Sequence, residues 1–275
     1  MKSYLSYKFE DTPQFVSTYD ELPLWSASFG QLLLKHIDYR TNITIVDIGT
    51  GTGFPLLEIA SRFGASCKCY GVDIWTNAIS RVAEKVKNYG LTNVEMIETS
   101  AAAIPLADNS VDLIVSNLGI NNFDDPPAVF NECHRLLKPG GKLALTTNLY
   151  GHWQEFYNVF ENTLAQLDMH DLLPELKEQQ LRRGTTETTR ALFEQSGFRV
   201  TKEITESFEM KFADGSAFLD HYFVKLGWLG SWTSLVPAEH HEKVFDQLEQ
   251  NLNSLAQKQG VLTLTVPMAF IEGEK

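Results

Sequence analysis

Ile45-Val46-Asp47-Ile48-Gly49-Thr50-Gly51-Thr52-Gly53-Phe54-Pro55 decides how the chain is read, because an apolar strand runs directly into a glycine-dense turn and then a helix. Ile43, Ile45, Val46 and Ile48 form the near-continuous apolar run of a parallel strand buried on both faces. The following helix has Pro55 near its first turn, Leu56, Leu57, Ile59, Ala60 and Phe63 as its stripe and Gly64 as its stop. Three glycines allow tight backbone turns and close approach, so the helix N-terminus can offer free N–H groups to a ligand.

Working outward, Cys67-Lys68-Cys69-Tyr70-Gly71-Val72-Asp73 is a second strand whose acidic end lies 20 positions beyond Gly53. That interval suits a carboxylate accepting from a ribose diol, and Ile74 and Trp75 stand ready to flank a base. Cys67 and Cys69 read as buried, reduced thiols, and three cysteines are too few for a disulfide framework or a structural zinc site. A helix over 76–89 stops at Gly90, and Val94 to Thr99 is the third strand. The dinucleotide fingerprint G-x-G-x-x-G needs a glycine where Phe54 stands; the spacing here is G-x-G-x-G, with Asp47 two residues before it.

Asp47-Ile48-Gly49-Thr50-Gly51-Thr52-Gly53 resembles the first motif of the class I S-adenosylmethionine-dependent methyltransferases. Ser100-Ala101 occupies the place where that class carries Asp-Ala beside the adenine, so a neutral hydroxyl replaces a carboxylate there. Ile104 to Asp112 resembles the loop into the fourth strand, Val111 to Ser116. Asn117-Leu118-Gly119-Ile120-Asn121-Asn122 comes next, then a helix with Val129, Phe130, Cys133, Leu136 and Leu137 on one face, ending in Lys138-Pro139-Gly140-Gly141. With the fifth strand, Lys142 to Asn148, this run is similar to the family that includes the ubiquinone and menaquinone C-methyltransferases. The resemblance covers about 43 to 148.

The resemblance implies an α/β fold: an open, doubly wound, mostly parallel seven-stranded sheet with a helical cap. A single domain over 1–275 is expected, with 1–42 as an N-terminal cap segment, 43–150 as the cofactor-binding core, 151–183 and 213–259 as helical cap insertions, and 185–212 with 260–275 completing the sheet. A helix from 25 to 37 carries Trp25, Phe29, Leu32, Leu33 and Ile37. Trp153, Phe156, Tyr157, Phe160, Leu164 and Leu167 form a stripe that breaks near Pro174.

S-adenosyl-L-methionine is the implied cofactor. Asp47, Gly49, Thr50, Gly51, Gly53, Asp73, Ile74, Trp75, Ser100, Ala101, Asn117 and Leu118 are the residues expected to hold it. Asn117 and His152 are the catalytic candidates, and Tyr19, Trp25, Tyr150, His221 and Tyr222 are candidates for substrate or lid contacts, with Asn121 and Asn148 among the polar groups nearby. The implied reaction is in-line methyl transfer to a small, apolar or aromatic metabolite, which needs positioning more than a nucleophile. Two alternatives stay open: a sensor that binds the cofactor without turnover, and a nicotinamide-dependent oxidoreductase, which explains Asp73 but not Phe54.

Charge excludes other partners. With 23 basic and 35 acidic side chains the formal net charge is −12, and no basic block stands out to follow a phosphate backbone. No stretch approaches the ~20 apolar residues of a membrane span, and Met1 to Lys8 lacks the apolar core of a signal peptide, so a soluble, cytoplasmic protein without membrane insertion is expected. No metal-ligand constellation is present in the sequence, and oligomeric state is not legible in it.

Overall fold

The computed structural model describes residues 2–20 and 24–275; Met1 and residues 21–23, all within the expected N-terminal segment, lie outside the described residues. Seven strands form one sheet in the order β3-β2-β1-β4-β5-β7-β6. They are β1 (Thr44–Ile48), β2 (Lys68–Asp73), β3 (Val94–Glu98), β4 (Val111–Asn117), β5 (Leu137–Asn148), β6 (Arg199–Phe212) and β7 (Leu262–Glu274). β1 pairs in parallel with β2 and β4, β2 with β3, and β4 with β5, whereas β7 runs antiparallel to β5.

The middle strands are apolar because both of their faces are covered. Ile45, Val46 and Ile48 of β1, Val72 of β2, Leu113 to Val115 of β4 and Leu143 to Leu145 of β5 are all buried. Helix Leu24–His36 packs on β4 and β5, helix Leu56–Phe63 on β2, helix Thr76–Tyr89 on β3 and helix Pro126–Leu136 on β5. β3 and β6, at the two edges, alternate between half-buried and exposed positions.

Two local expectations are corrected. Lys138-Pro139-Gly140-Gly141 does not end a helix but lies inside β5, which starts at Leu137, paired with Val111, and bulges before Leu113 meets Lys142. Pro139 and the glycines suggested a stop to sequence reasoning; the strand absorbs them through that irregularity. Pro174 opens helix Leu173–Leu181 in its first turn, where a missing N–H costs nothing, and the preceding helix, Gln154–Gln166, has already ended.

The chain divides into two compact units. One, the sheet unit, comprises Asp11–Asn148, Gly184–Glu206 and Met268–Lys275. The other, the helical unit, comprises Met1–Glu10, Leu149–Arg183 and Ser207–Pro267. Residues up to Glu10 thus fall in the helical unit and those from Asp11 in the sheet unit. Asp11 accepts from Trp75 Nε1 at 2.7 Å and from Asn77 Nδ2 at 3.1 Å, which ties the chain from residue 11 onward to the sheet unit. Tyr4 donates to Glu249 Oε2 at 2.9 Å, which ties the residues before Asp11 to the helical unit.

Too short singly to bury a core, the helical segments do so together. Phe156 and Trp232 lie 4.2 Å apart between ring centroids, Trp153 and Trp228 4.7 Å, and Trp153 and Phe218 5.2 Å. Trp153, Phe156, Phe218 and Trp232 are completely buried. Helix His241–Gln259 closes this cluster with Val244, Phe245, Leu248 and Leu252. Among the described residues no helix is long and apolar enough to cross a membrane.

Candidate active site

Strand order reverses between β1 and β4, and in open α/β sheets the crevice at such a reversal takes the ligand. Both strands end there, β1 in the glycine turn and β4 at Asn117. Glycines let the two ends approach: a Cβ on Gly119 would meet the Ile48 carbonyl oxygen at 2.9 Å, and one on Gly49 would meet Gly119 Cα at 3.1 Å. Ser116 Oγ donates to that same Ile48 carbonyl at 2.9 Å and fixes the two strand ends together.

Gly49, Gly51 and Gly53 have φ of 70°, 52° and 99°, in the left-handed region that favours glycine. A Cβ on Gly51 would meet nothing within 4 Å, so its backbone faces open space. Phe54, the residue that breaks the dinucleotide pattern, turns its ring into the gap left by Gly30, where a Cβ would stand 2.2 Å from the ring.

Asp73 is drawn to the turn itself. Its Oδ2 accepts from the Gly51 N–H at 2.7 Å and its Oδ1 from the Trp75 N–H at 3.0 Å, and each oxygen keeps a further lone pair for a ligand hydroxyl. Tyr19 packs its ring 5.7 Å from Trp75, and burial, reinforced by the Asp73 charge, raises its phenol pKa. Thr99 N–H donates to the Asp73 carbonyl, which brings Ser100 and Ala101 to the same edge; Ser100 Oγ accepts from Ala102 N–H at 3.3 Å.

Asp47 is fully buried, with Oδ2 accepting from Thr50 Oγ1 at 2.7 Å and Oδ1 meeting no partner among the described residues. Burial pushes its carboxyl up to about 7, against the bond from Thr50 and the weaker pull of the Leu56 backbone N–H, and the nearby Asp73 charge adds to the rise. A buried acid with one oxygen unspent is costly unless a cation or donor completes it.

Asn117 is committed to the fold: its Oδ1 accepts from Thr146 Oγ1 at 2.8 Å and its Nδ2 donates to the Ser26 carbonyl at 3.1 Å. Leu118 comes next at φ 68°, an uncommon left-handed conformation for a leucine, and its N–H reaches the Thr146 carbonyl at 2.9 Å. Trp25 is buried against Phe29 with centroids 5.3 Å apart.

This sheet has counterparts elsewhere. Residues 46–145 match the methyltransferase domain family. Demethylmenaquinone methyltransferase of Geobacillus stearothermophilus is 32% identical over 132 residues, covering 46% of this chain and 56% of that protein. Arsenite methyltransferase of Halobacterium salinarum is 33% identical over 103 residues, 38% of this chain and 26% of that protein. The chain thus spans about half the length, or less, of these curated relatives. The fold is shared with a SAM-dependent methyltransferase from Aquifex aeolicus, at 23% identity and a TM-score of 0.55, over 72% of this chain and 93% of that one.

Asp47, the glycine turn, Asp73, Ile74, Trp75, Ser100, Ala101, Asn117, Leu118, Tyr19 and Trp25 all lie in the sheet unit. The other candidates lie in the helical unit. His152 is buried, its ring 4.3 Å from that of Trp153 and 5.6 Å from that of Trp228, and burial holds its pKa well below the ordinary histidine value, helped by the Arg183 charge. His221 lies 5.4 Å from Phe212, Tyr222 lies 6.2 Å from Tyr7, and Tyr150 is exposed. Among the described residues no group of three or more His, Cys, Asp or Glu is arranged to hold a metal ion.

Two residues held against the glycine turn were not singled out in the sequence. Lys85 donates to the Thr52 carbonyl of the glycine turn at 2.5 Å and to Asp20 Oδ1 at 2.6 Å, and Asp20 also accepts from Arg81 Nε at 3.1 Å. Lys85 and Asp20 are 65 positions apart. Only the apolar face of the helix bearing Lys85 could be read from periodicity; nothing in sequence marks its polar partner.

Proposed function

We propose that this chain transfers a methyl group from S-adenosyl-L-methionine to a small organic acceptor, apolar or aromatic in its body. The observation that carries the reading is the unspent, buried Asp47 oxygen beside a glycine turn bound to Asp73. An amino-acid ammonium would complete Asp47, and a ribose diol would use the remaining lone pairs of Asp73. Gly49 to Gly53 would line the approach with backbone alone, and Ile74, 72% exposed, would cover one face of an adenine. When bound, the cofactor supplies an electrophilic methyl group on a sulfonium.

The chain's own part is to hold and orient. No covalent nucleophile is required of it, and orientation can contribute about 7 to 11 kcal/mol to barrier reduction. The name of the Geobacillus relative, a demethylmenaquinone methyltransferase, supports a ring-bearing acceptor.

Incubation with methyl-labelled cofactor and a protein-free small-molecule extract tests the proposal. A labelled, extractable product is expected. Tight binding of the cofactor in calorimetry with no labelled product from any extract would replace the enzyme by a sensor. Absorbance change with a nicotinamide cofactor, and no affinity for S-adenosylmethionine, would favour the oxidoreductase.

A further inference from the structure

Asn148 ends a directed chain of hydrogen bonds in the sheet unit. In the structure Thr147 Oγ1 faces two acceptors, Asn121 Oδ1 at 2.8 Å and the Asn148 carbonyl at 3.2 Å, with the Asn121 amide set oxygen-first toward it. Asn121 in turn donates from Nδ2 to Asn148 Oδ1 at 2.9 Å. Asn148 must then turn its Nδ2, with two protons, away from the chain. Asn148 is 2% exposed, yet no partner reaches that nitrogen among the described residues.

A buried amide donor left unmade costs about 1 to 3 kcal/mol, so its retention calls for a function. The neighbouring strand shows the contrast. Asn117, the last residue of β4, spends both ends of its amide on protein partners. Asn148 is the last residue of β5, two positions beyond Thr146, the register partner of Asn117, and Asn121 lies in the short turn that leaves β4. The unspent donors thus stand at the carboxyl edge of the sheet, where such folds receive ligands.

We propose that Asn148 Nδ2 donates to a carbonyl, enolate or phenolate oxygen of the methyl acceptor, with Asn121 and Thr147 as positioning residues that hold its amide in that sense. The proposal rests on the methyltransferase reading and adds the chemical class of the acceptor. A fixed donor orients the acceptor through its oxygen and stabilises charge gathering there as a neighbouring atom is methylated. Cationic amines are selected against, since they would bring protons to protons.

The test compares binding of 1-tetralone, which carries one carbonyl, with tetralin, the same bicyclic shape without oxygen, each in the presence of the demethylated cofactor. Wild-type protein is expected to prefer the ketone by about tenfold. In Asn148→Leu, isosteric but without donors, and in Asn148→Asp, which offers only acceptors, the ratio should fall to about one while cofactor affinity is unchanged. Thr147→Val, which frees the relay to reverse, should lower the ratio severalfold. No ketone preference in the wild type, or the same preference in a folded Asn148→Leu or Asn148→Asp protein, overturns the proposal. Labelled-methyl transfer is measured alongside: an Asn148-dependent preference without transfer removes the methyltransferase reading and keeps the donor site, and transfer without the preference does the reverse.

Discussion

Asp47 carries a pH dependence whose sign is set by its burial. Its carboxyl is raised to about 7 in the folded chain, from 3.8, so between those values the folded protein holds a proton that the unfolded chain has lost. Stability without cofactor should therefore fall as pH rises from about 4 to about 7 and level off above, the whole penalty being present only when Asp47 is ionised. A cofactor ammonium reverses the preference. Affinity for S-adenosylmethionine should increase about tenfold or more between about pH 5 and about pH 7, and Asp47→Asn should flatten that rise in calorimetric titrations. Asp73→Ala removes an acceptor that gathers Gly51 and Trp75, and cofactor affinity should drop at least about tenfold; unchanged affinity would place the ribose elsewhere. Gly51→Val adds a branched side chain at φ 52°, costing about 1 to 2 kcal/mol, and fills open space beside the turn; the variant should fold by circular dichroism and fail to bind cofactor. Asp47 and Asp73 were legible in the sequence because their distance from the glycines is local. Asn148 could be named there only as one polar residue among several, since its significance depends on which neighbours use up the other amides.

At the level of elements, helix Pro13–Asp20 is held to helix Thr76–Tyr89 by one acidic side chain with two basic partners. Asp20 and Lys85 are each less than one-sixth exposed in their side chains, so screening is weaker than at the surface. Lys85→Met keeps the aliphatic stem while removing the bonds to Asp20 and to the Thr52 carbonyl. Amide exchange over 11–20 should quicken in that variant, and exchange around 50–53 should rise with it; unchanged protection in both segments would show that apolar packing alone holds the helix. Helix 24–36 and strands β1 to β4 were readable from the sequence pattern to within a residue or two at their ends. β5 was read too short because Pro139, Gly140 and Gly141 are ordinary terminators, and only pairing with β4 and β7 keeps them in a strand.

For the whole molecule, the residues proposed to bind cofactor all lie in the sheet unit, while the aromatic core belongs to the helical unit. Trp232→Ala opens a cavity in that core and should cost about 3 to 5 kcal/mol in denaturant unfolding. Cofactor affinity at low denaturant should stay within about twofold of wild type if the binding free energy resides in the sheet unit. A large loss of affinity in the folded variant would show that the helical unit contributes to it. In the converse direction, cofactor at about a hundred times its dissociation constant should add about 2.7 kcal/mol to the unfolding of whatever unit binds it, which exchange protection can localise.

The sequence by itself determined the strand-turn-helix that begins the domain, the acidic residue after the second strand and the order of the βα units, because hydrophobic period, glycine spacing and strand-end position are properties of neighbouring residues. Tertiary structure decided the rest. It put residues up to Glu10 in the helical unit and those from Asp11 in the sheet unit, pooled helices from distant segments into one aromatic core, set Lys85 against Thr52 and Asp20, and left Asn148 Nδ2 without a partner while satisfying Asn117. Each of these depends on contacts between residues far apart in the chain, where hydrogen-bond capacity is shared among groups that no local pattern brings together.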